Sequence, residues 1–93
     1  IASHVAHPER IRGTLRALRT AFANVVPYLV SIPLYGGMWM MACCSATLDP
    51  RTLTALQVDR RIAQRRLADL KYYNGDMHRA ALALPNFVRS LVA

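Results

Sequence analysis

The longest uncharged stretch of the chain sets the strongest limit on how it can fold. Residues 20–48 carry no charged side chain, and a membrane-spanning helix needs only about 20 apolar residues. Pro27, Pro33 and the pair Gly36-Gly37 would interrupt such a helix repeatedly. The residues before Pro33 are instead rich in β-branched and aromatic side chains, which are typical of strands. The stretch predicts two buried strands joined through a Gly-Gly turn, the second over residues 38–45, and an integral membrane protein is the alternative.

A helix is predicted before the strands. His7-Pro8-Glu9 is typical of a helix start, with proline at the first helical position and an acid in the first turn. Asn24 is the predicted stop. The apolar residues between them recur at spacings of four, three and four, which predicts one buried stripe. These residues are Ile11, Leu15, Leu18 and Phe22.

Helices are also predicted after the strands. Asp49-Pro50 is a cap followed by proline, and it predicts a helix over about residues 51–67, with its apolar side chains on two faces. Asn74-Gly75 indicates a turn, after which Asp76 is the predicted cap of a short helix through Leu84. Pro85 stops that helix and opens a last one that ends at residue 92.

The chain contains more apolar material than a small soluble monomer can bury. It has 93 residues, of which 54% are hydrophobic, and a domain this short buries only a modest fraction of its surface. A hairpin alone cannot bury both faces of two apolar strands. The order helix, strand, strand, helices therefore predicts the edge of an α/β fold whose centre lies elsewhere.

Positive charge is concentrated on the predicted helices. The net charge is +7, and nearly all of the basic residues are arginines. A solvated helix face explains both arginine clusters, and no aromatic residue is interleaved with either, as a stacking surface for single strands would require. Nucleic acid is therefore disfavoured as a partner, and a basic nucleic-acid-binding module is the alternative. The clusters are Arg10, Arg12, Arg16 and Arg19, and Arg60, Arg61, Arg65 and Arg66.

No set of residues points to catalysis or to a metal. Cys43 and Cys44 are adjacent, so on a strand their side chains point to opposite faces, and two reduced cysteines suit a cytoplasmic protein. The histidines do not provide the spacing of a His/Cys metal site. The five acids are scattered, and no glycine-rich phosphate loop occurs. The residues alone predict no catalytic group and no metal ligand.

Four segments resemble the C-terminal region of the polyamine aminopropyltransferases, the family of spermidine synthase. Residues 32–39, IPLYGGMW, are similar to the family's Ile-Pro-Thr-Tyr segment with the turn and strand that follow it. Residues 70–74, LKYYN, resemble the family's Arg/Lys-Tyr-Tyr-Asn, and residues 77–85, MHRAALALP, resemble its His-x-Ala-Ala/Ser-Phe-x-Leu-Pro. Residues 8–11, PERI, match the helix before the first strand. The resemblance covers essentially the whole chain.

The resemblance implies an α/β fold, the C-terminal part of a Rossmann-like methyltransferase domain. Family members transfer an aminopropyl group from decarboxylated S-adenosylmethionine to a diamine, usually putrescine. The resemblance therefore implies a cytoplasmic, homo-oligomeric enzyme of spermidine biosynthesis, with the N-terminal β domain, the cofactor-binding half and the catalytic acids upstream of residues 1–93. By itself this portion is expected to be inactive and to bind no cofactor. A non-catalytic oligomerisation or binding remnant of the same fold is the alternative.

The resemblance assigns a substrate-binding role to one residue. Tyr35 matches the tyrosine that lines the diamine site in the family, and its ring and hydroxyl suit a cationic amine. Two departures border it: Leu34 replaces the usual threonine, and the Gly36-Gly37 turn is one residue shorter than Pro-Ser-Gly. Leu82 stands where phenylalanine is usual. Because of these departures, the resemblance does not specify which amine is the acceptor. Structural roles are expected for Tyr72, Tyr73 and His78.

Overall fold

A computed structural model describes all 93 residues, which form four helices and one hairpin. Two short 3-10 turns, Pro33–Tyr35 and Pro50–Thr52, lie between elements. The elements in chain order are α1 (Pro8–Ala21), β1 (Asn24–Ile32), β2 (Gly37–Ser45), α2 (Ala55–Gln64), α3 (Gly75–Leu82) and α4 (Asn86–Val92).

Helix α1 begins where the sequence predicts. Pro8 occupies the first helical turn, and the predicted stripe is confirmed at Ile11 and Leu15, which are fully buried. The predicted stop at Asn24 is wrong by three residues, because Phe22 already has an extended conformation and Asn24 is the first residue of β1. The abrupt change from helix to strand brings β1 back along α1.

The two predicted strands form an antiparallel hairpin. Asn24 pairs with Ser45 at the open end, and Ile32 pairs with Gly37 at the turn. The connection is a 3-10 turn followed by Gly36 at φ +88°, a left-handed conformation that glycine adopts at little cost. Gly37 follows at φ +144°, so both glycines of the predicted turn are needed there. No helix of the chain is long and apolar enough to cross a membrane.

The core lies on one face of the hairpin. Leu29 of β1 is paired with Met40 of β2, and both are buried against α1 and α4. Ala2 forms an isolated antiparallel bridge to Met40 on the other edge of β2, so the segment before α1 runs beside this strand. On the opposite face α3 packs against β1, and α2 packs against α3. Both faces of the hairpin are thus partly covered.

The helices after the hairpin differ from the predicted boundaries. Asp49-Pro50 caps only a 3-10 turn, because Leu53 is extended and interrupts the helical backbone. Helix α2 begins after Thr54, whose side chain and that of Gln57 form a capping box, and it ends at Gln64 rather than Leu67. Arg66 has φ +53°, a conformation that a helix does not continue.

Helix α3 also begins and ends earlier than predicted. Its cap is Asn74, whose side chain accepts a hydrogen bond from the backbone N–H of Met77, and Asp76 lies inside the first turn. The helix ends at Leu82, two residues before the predicted Leu84, because Ala83 is extended. Pro85 precedes α4 as expected.

Candidate functional site

Tyr35 lies at the tip of the hairpin. It is the last residue of the 3-10 turn and is 58% exposed. Its ring contacts that of Trp39, four residues later on β2, with centroids 4.8 Å apart and planes inclined by 48°. Two aromatic rings at this separation attract each other, so Trp39 gives the exposed tyrosine a packed neighbour. The sequence interpretation missed this contact, although the spacing of the two aromatic residues was its visible signal.

Tyr35 forms one wall of a cleft of about 340 Å³ beside the turn. The other walls are residues 3–6, which precede α1, and residues 36–38 of the turn and β2. His4 is the one imidazole in this lining; it is only 8% exposed, and its Nδ1 has no hydrogen-bond partner. No carboxylate lines the cleft. The cleft can therefore hold a small ligand against aromatic and polar groups, but it offers no acid to take up a proton.

A second, more apolar cleft of about 420 Å³ lies on the opposite side of the hairpin, between β1, Tyr72, Tyr73 and α3. His78 anchors one of its walls: the His78 ring contacts the carbonyl of Pro50 through Nε2 at 2.8 Å and the hydroxyl of Tyr73 through Nδ1 at 2.9 Å. A carbonyl can only accept, so Nε2 carries the hydrogen, and in the neutral ring Nδ1 then accepts from the Tyr73 hydroxyl. The geometry gives Tyr73 and His78 the role of joining α3 to the turn at Pro50.

The ion pair of Asp49 and Arg51 lies close to this contact. Arg51 Nη2 is 2.7 Å from one carboxylate oxygen of Asp49, and Nε is 2.9 Å from the other. The side-chain hydrogen bonds from Arg51, followed by its backbone N–H, lower the pKa of Asp49 below the ordinary value. The same side-chain hydrogen bonds raise the pKa of Arg51. Both side chains are near solvent, so this pair shapes the turn and does not create a reactive carboxylate.

The two arginine clusters are largely solvated. In the second cluster, which begins on α2 and continues past its end, all four arginines are exposed. On α1, Arg12 forms an ion pair with Glu9, and Arg19 donates a hydrogen bond of 2.7 Å to the carbonyl of Val92 on α4. No group of three or more His, Cys, Asp or Glu side chains is placed to hold a metal ion, and both cysteines are free thiols.

Comparison with known proteins finds relatives in one family. A polyamine aminopropyltransferase of Nitrosomonas europaea is 47% identical over 79 residues, which are 85% of this chain and 24% of that protein. The polyamine aminopropyltransferase 2 of Hyperthermus butylicus is 36% identical over 83 residues, which are 89% of this chain and 26% of that protein. The chain is homologous to one part of the polyamine aminopropyltransferases. No family model matches it.

The fold comparison agrees with this relationship. The crystal structure of spermidine synthase from Thermotoga maritima superposes with a TM-score of 0.82 over 98% of this chain, at 27% sequence identity. The matched region is 31% of that protein. The predicted fold class is confirmed: helix α1, the antiparallel hairpin and the C-terminal helices are one part of a Rossmann-like methyltransferase fold. The chain spans about a quarter of the curated aminopropyltransferases it matches.

Proposed function

We propose that the polypeptide to which this chain belongs transfers an aminopropyl group from decarboxylated S-adenosylmethionine to putrescine, giving spermidine. The observation that carries the proposal is the identity of 47% to a polyamine aminopropyltransferase over 85% of the chain. Residues 1–93 would be the C-terminal portion of the methyltransferase-like domain, with the cofactor-binding half and the β domain elsewhere in the polypeptide.

The reaction requires a neutral amine to attack a carbon next to a sulfonium sulfur. The new carbon–nitrogen bond forms as the carbon–sulfur bond breaks, the sulfur keeps the electron pair, and the amine loses a proton. An enzyme accelerates this step by holding the two reactants in line and by accepting the proton. The cleft at Tyr35 contains no carboxylate, so these residues would bind and orient the amine, and the proton acceptor would lie outside them.

Tyr35 would contribute to amine binding in two ways. Its ring can attract a cationic nitrogen through the negative face of the π system, and its hydroxyl can hydrogen-bond an amine. The exposed position at the hairpin tip leaves the ring accessible to a ligand, and the contact with Trp39 limits the orientations it can adopt. Amine recognition would thus depend on a side chain that is held in place before the ligand arrives.

The proposal includes a cytoplasmic homo-oligomer. Two free cysteines are compatible with a reducing compartment. Several large apolar side chains are at least half exposed on the C-terminal half, and contacts with other parts of the enzyme or with a second subunit would cover them. They are Leu48, Leu56, Leu67, Tyr72 and Phe87.

The test is a steady-state assay of the full natural polypeptide with putrescine and decarboxylated S-adenosylmethionine. We expect transfer by the wild type and a KM for putrescine about tenfold higher in Tyr35→Ala, because a cation–π contact in a partly desolvated site is worth roughly 1–2 kcal/mol. Tyr35→Phe keeps the ring and should lose less. Tyr72→Ala, at a tyrosine of similar exposure that does not line this cleft, is the matched control. An inactive wild type would refute the proposed reaction, and unchanged kinetics of Tyr35→Ala would refute the role of Tyr35.

A further inference from the structure

We propose that a cleft at the outer edge of β1 binds a phosphate-bearing anion through Arg19, Arg51 and Arg89. The cleft has a volume of about 260 Å³ and shares no lining residue with the cleft beside Tyr35. This inference goes beyond the proposed function, because it assigns to the chain a second ligand whose charge is opposite to that of an amine substrate.

The cleft lies at the edge of β1 that pairs with no other strand. Residues 25–27 of β1 line it, whereas their partners on β2, residues 42–44, do not. Its walls come from both faces of the hairpin: α1 and α4 on one face, and on the other Leu82 of α3 and the 3-10 turn at Arg51. The segment at Ala2 runs beside the opposite edge of the sheet. A strand added beside β2 would therefore leave this cleft open.

The three arginines reach the cleft from three different elements. Arg19, at the end of α1, donates a hydrogen bond of 2.7 Å to the carbonyl of Val92, which places its guanidinium and leaves its other N–H groups free. Arg51 is held by Asp49, with Nη2 2.7 Å from a carboxylate oxygen. Arg89 comes from α4 and forms no ion pair. Two of the three guanidinium groups are thus positioned before any ligand arrives.

Positive charge in the cleft is not balanced by the chain. No acid is among the lining residues, and neither Arg19 nor Arg89 forms an ion pair, so only the charge of Arg51 is offset. The remaining walls are mostly valine and leucine side chains, which lower the local dielectric and strengthen the positive potential. A bound anion would relieve the repulsion between the guanidinium groups.

The chemistry of the arginines favours phosphate as that anion. A guanidinium is a planar fork of N–H donors that matches two oxygens of one phosphate group. Several guanidinium groups around one cleft suit a ligand with more than one negative charge, which inorganic polyphosphate and nucleotides both carry. A single nucleic-acid strand fits less well, because no aromatic side chain lines the cleft to stack a base.

The test is a calorimetric titration of the full natural polypeptide with inorganic tripolyphosphate, without magnesium, at an ionic strength of about 0.15 M. We expect one saturable site per chain. Arg89→Gln should raise the Kd about tenfold, since it removes a charge-assisted pair of hydrogen bonds. Arg89→Lys keeps the charge without the fork and should raise it about threefold. Arg10→Gln removes one exposed charge of α1 outside the cleft, so this matched control should leave the Kd within about twofold.

A second variant makes the result independent of Arg89. Arg19→Gln should weaken binding by a similar factor, because its guanidinium lines the same cleft. Its unfolding temperature without ligand shows whether the lost hydrogen bond to Val92 disturbs α4. If that temperature falls, the comparison of Arg89→Gln with Arg10→Gln decides.

The outcomes separate the sources of the phosphate and the rival partner. A parallel titration with ATP that gives the Kd of tripolyphosphate would show recognition of the phosphates alone, and a lower Kd would show that the nucleoside also makes contacts; both support the site. Absence of saturable binding overturns it, as do equal losses in Arg10→Gln and Arg89→Gln, which would show general attraction to a basic surface. Binding of a single-stranded oligonucleotide without binding of tripolyphosphate also overturns it. The titration needs no turnover, so an inactive wild type would refute the proposed function alone.

Discussion

At the scale of single residues, His78 connects two parts of the chain that are far apart in sequence. Its ring accepts from the Tyr73 hydroxyl and donates to the carbonyl of Pro50, so one side chain links the start of α3 to the turn after β2. Arg79 adds a hydrogen bond of 2.9 Å to the carbonyl of Arg51. Two consecutive residues of α3 therefore satisfy carbonyls of the same 3-10 turn.

This linkage predicts a measurable coupling between Tyr73 and His78. We expect Tyr73→Phe to lower the free energy of unfolding by about 0.5–1.5 kcal/mol and His78→Leu by about 1–3 kcal/mol, since the latter also removes the shorter of the two hydrogen bonds that the Pro50 carbonyl accepts. In a double-mutant cycle measured by urea unfolding of the full polypeptide, the two losses should be less than additive by about 0.5 kcal/mol or more. Tyr72→Phe, at the neighbouring tyrosine, is the control. Fully additive losses would contradict the linkage.

The Asp49–Arg51 pair predicts a dependence on pH at the acid end. Because Arg51 lowers the pKa of Asp49 in the folded protein, the charged carboxylate stabilises the fold above the unfolded pKa of about 3.9. This stabilisation is lost as the pH falls through the lower, folded pKa. We expect Asp49→Asn to be less stable than the wild type at pH 6 and the difference, measured by thermal unfolding, to shrink as the pH falls below about 3.9. Asp69→Asn, at a carboxylate without an ion pair, should show no such convergence. A difference that does not change with pH would assign the effect to shape, not to charge.

At the scale of elements, α2 and α3 approach each other closely at Gly75. Gly75 begins α3, and its backbone N–H donates a hydrogen bond of 2.7 Å to Asp59 of α2. A Cβ at Gly75 would collide with the backbone carbonyl of Ala55. The glycine is therefore required by the contact between the two helices, because a backbone atom cannot move aside as a flexible side chain can.

Two glycine substitutions should accordingly change stability in opposite directions. Gly75→Ala is expected to lower the free energy of unfolding by about 3 kcal/mol, since the helices must separate. Gly13 lies inside α1 with open space around its Cβ position, so Gly13→Ala should raise stability by about 0.5–1 kcal/mol through a smaller loss of backbone entropy. Chemical unfolding of the full polypeptide measures both. Equal effects of the two substitutions would contradict the helix contact.

The boundaries of these elements show which signals in the sequence are decisive. The hairpin and the start of α1 were predictable, because Pro8, the β-branched residues of β1 and the glycines of the turn act locally. The start of α2 was predicted too early because Asp49-Pro50 resembles a cap, although the capping box at Thr54 and Gln57 was also visible. The contact of Gly75 with α2 was not predictable, since it joins segments that no local pattern relates.

The residues of the candidate site also differ in whether the sequence alone points to them. Tyr35 could be identified from the segment around it by resemblance, and its exposed position at a turn follows from the local sequence. His4 gave no such signal, because it reaches the cleft only through the bridge between Ala2 and Met40. A residue that is placed by tertiary pairing leaves no short sequence motif. The unpaired Nδ1 of His4 becomes apparent only when its burial is known.

At the scale of the whole molecule, the chain has more apolar side chains than it buries. Only 12 of the 93 residues are buried, and the sheet has two strands, fewer than a sheet normally needs for independent stability. The relatives are three to four times longer, as the chain spans 24% and 26% of two of them and 31% of the spermidine synthase structure. The rest of such a fold would supply the strands and helices that cover the exposed surfaces.

The chain produced alone should therefore behave differently from the same residues within the full polypeptide. We expect the isolated 93 residues to bind a hydrophobic dye and to unfold without a sharp cooperative transition, because their buried apolar area is too small to offset the entropy of ordering the chain. We also expect a calorimetric titration with decarboxylated S-adenosylmethionine to show no measurable binding, whereas the full polypeptide should bind it. The full polypeptide, unfolded under the same conditions, is the control for cooperativity. A sharp transition of the isolated chain would show that α1, α4 and the hairpin suffice for a stable core, and micromolar binding would place the cofactor site within these residues.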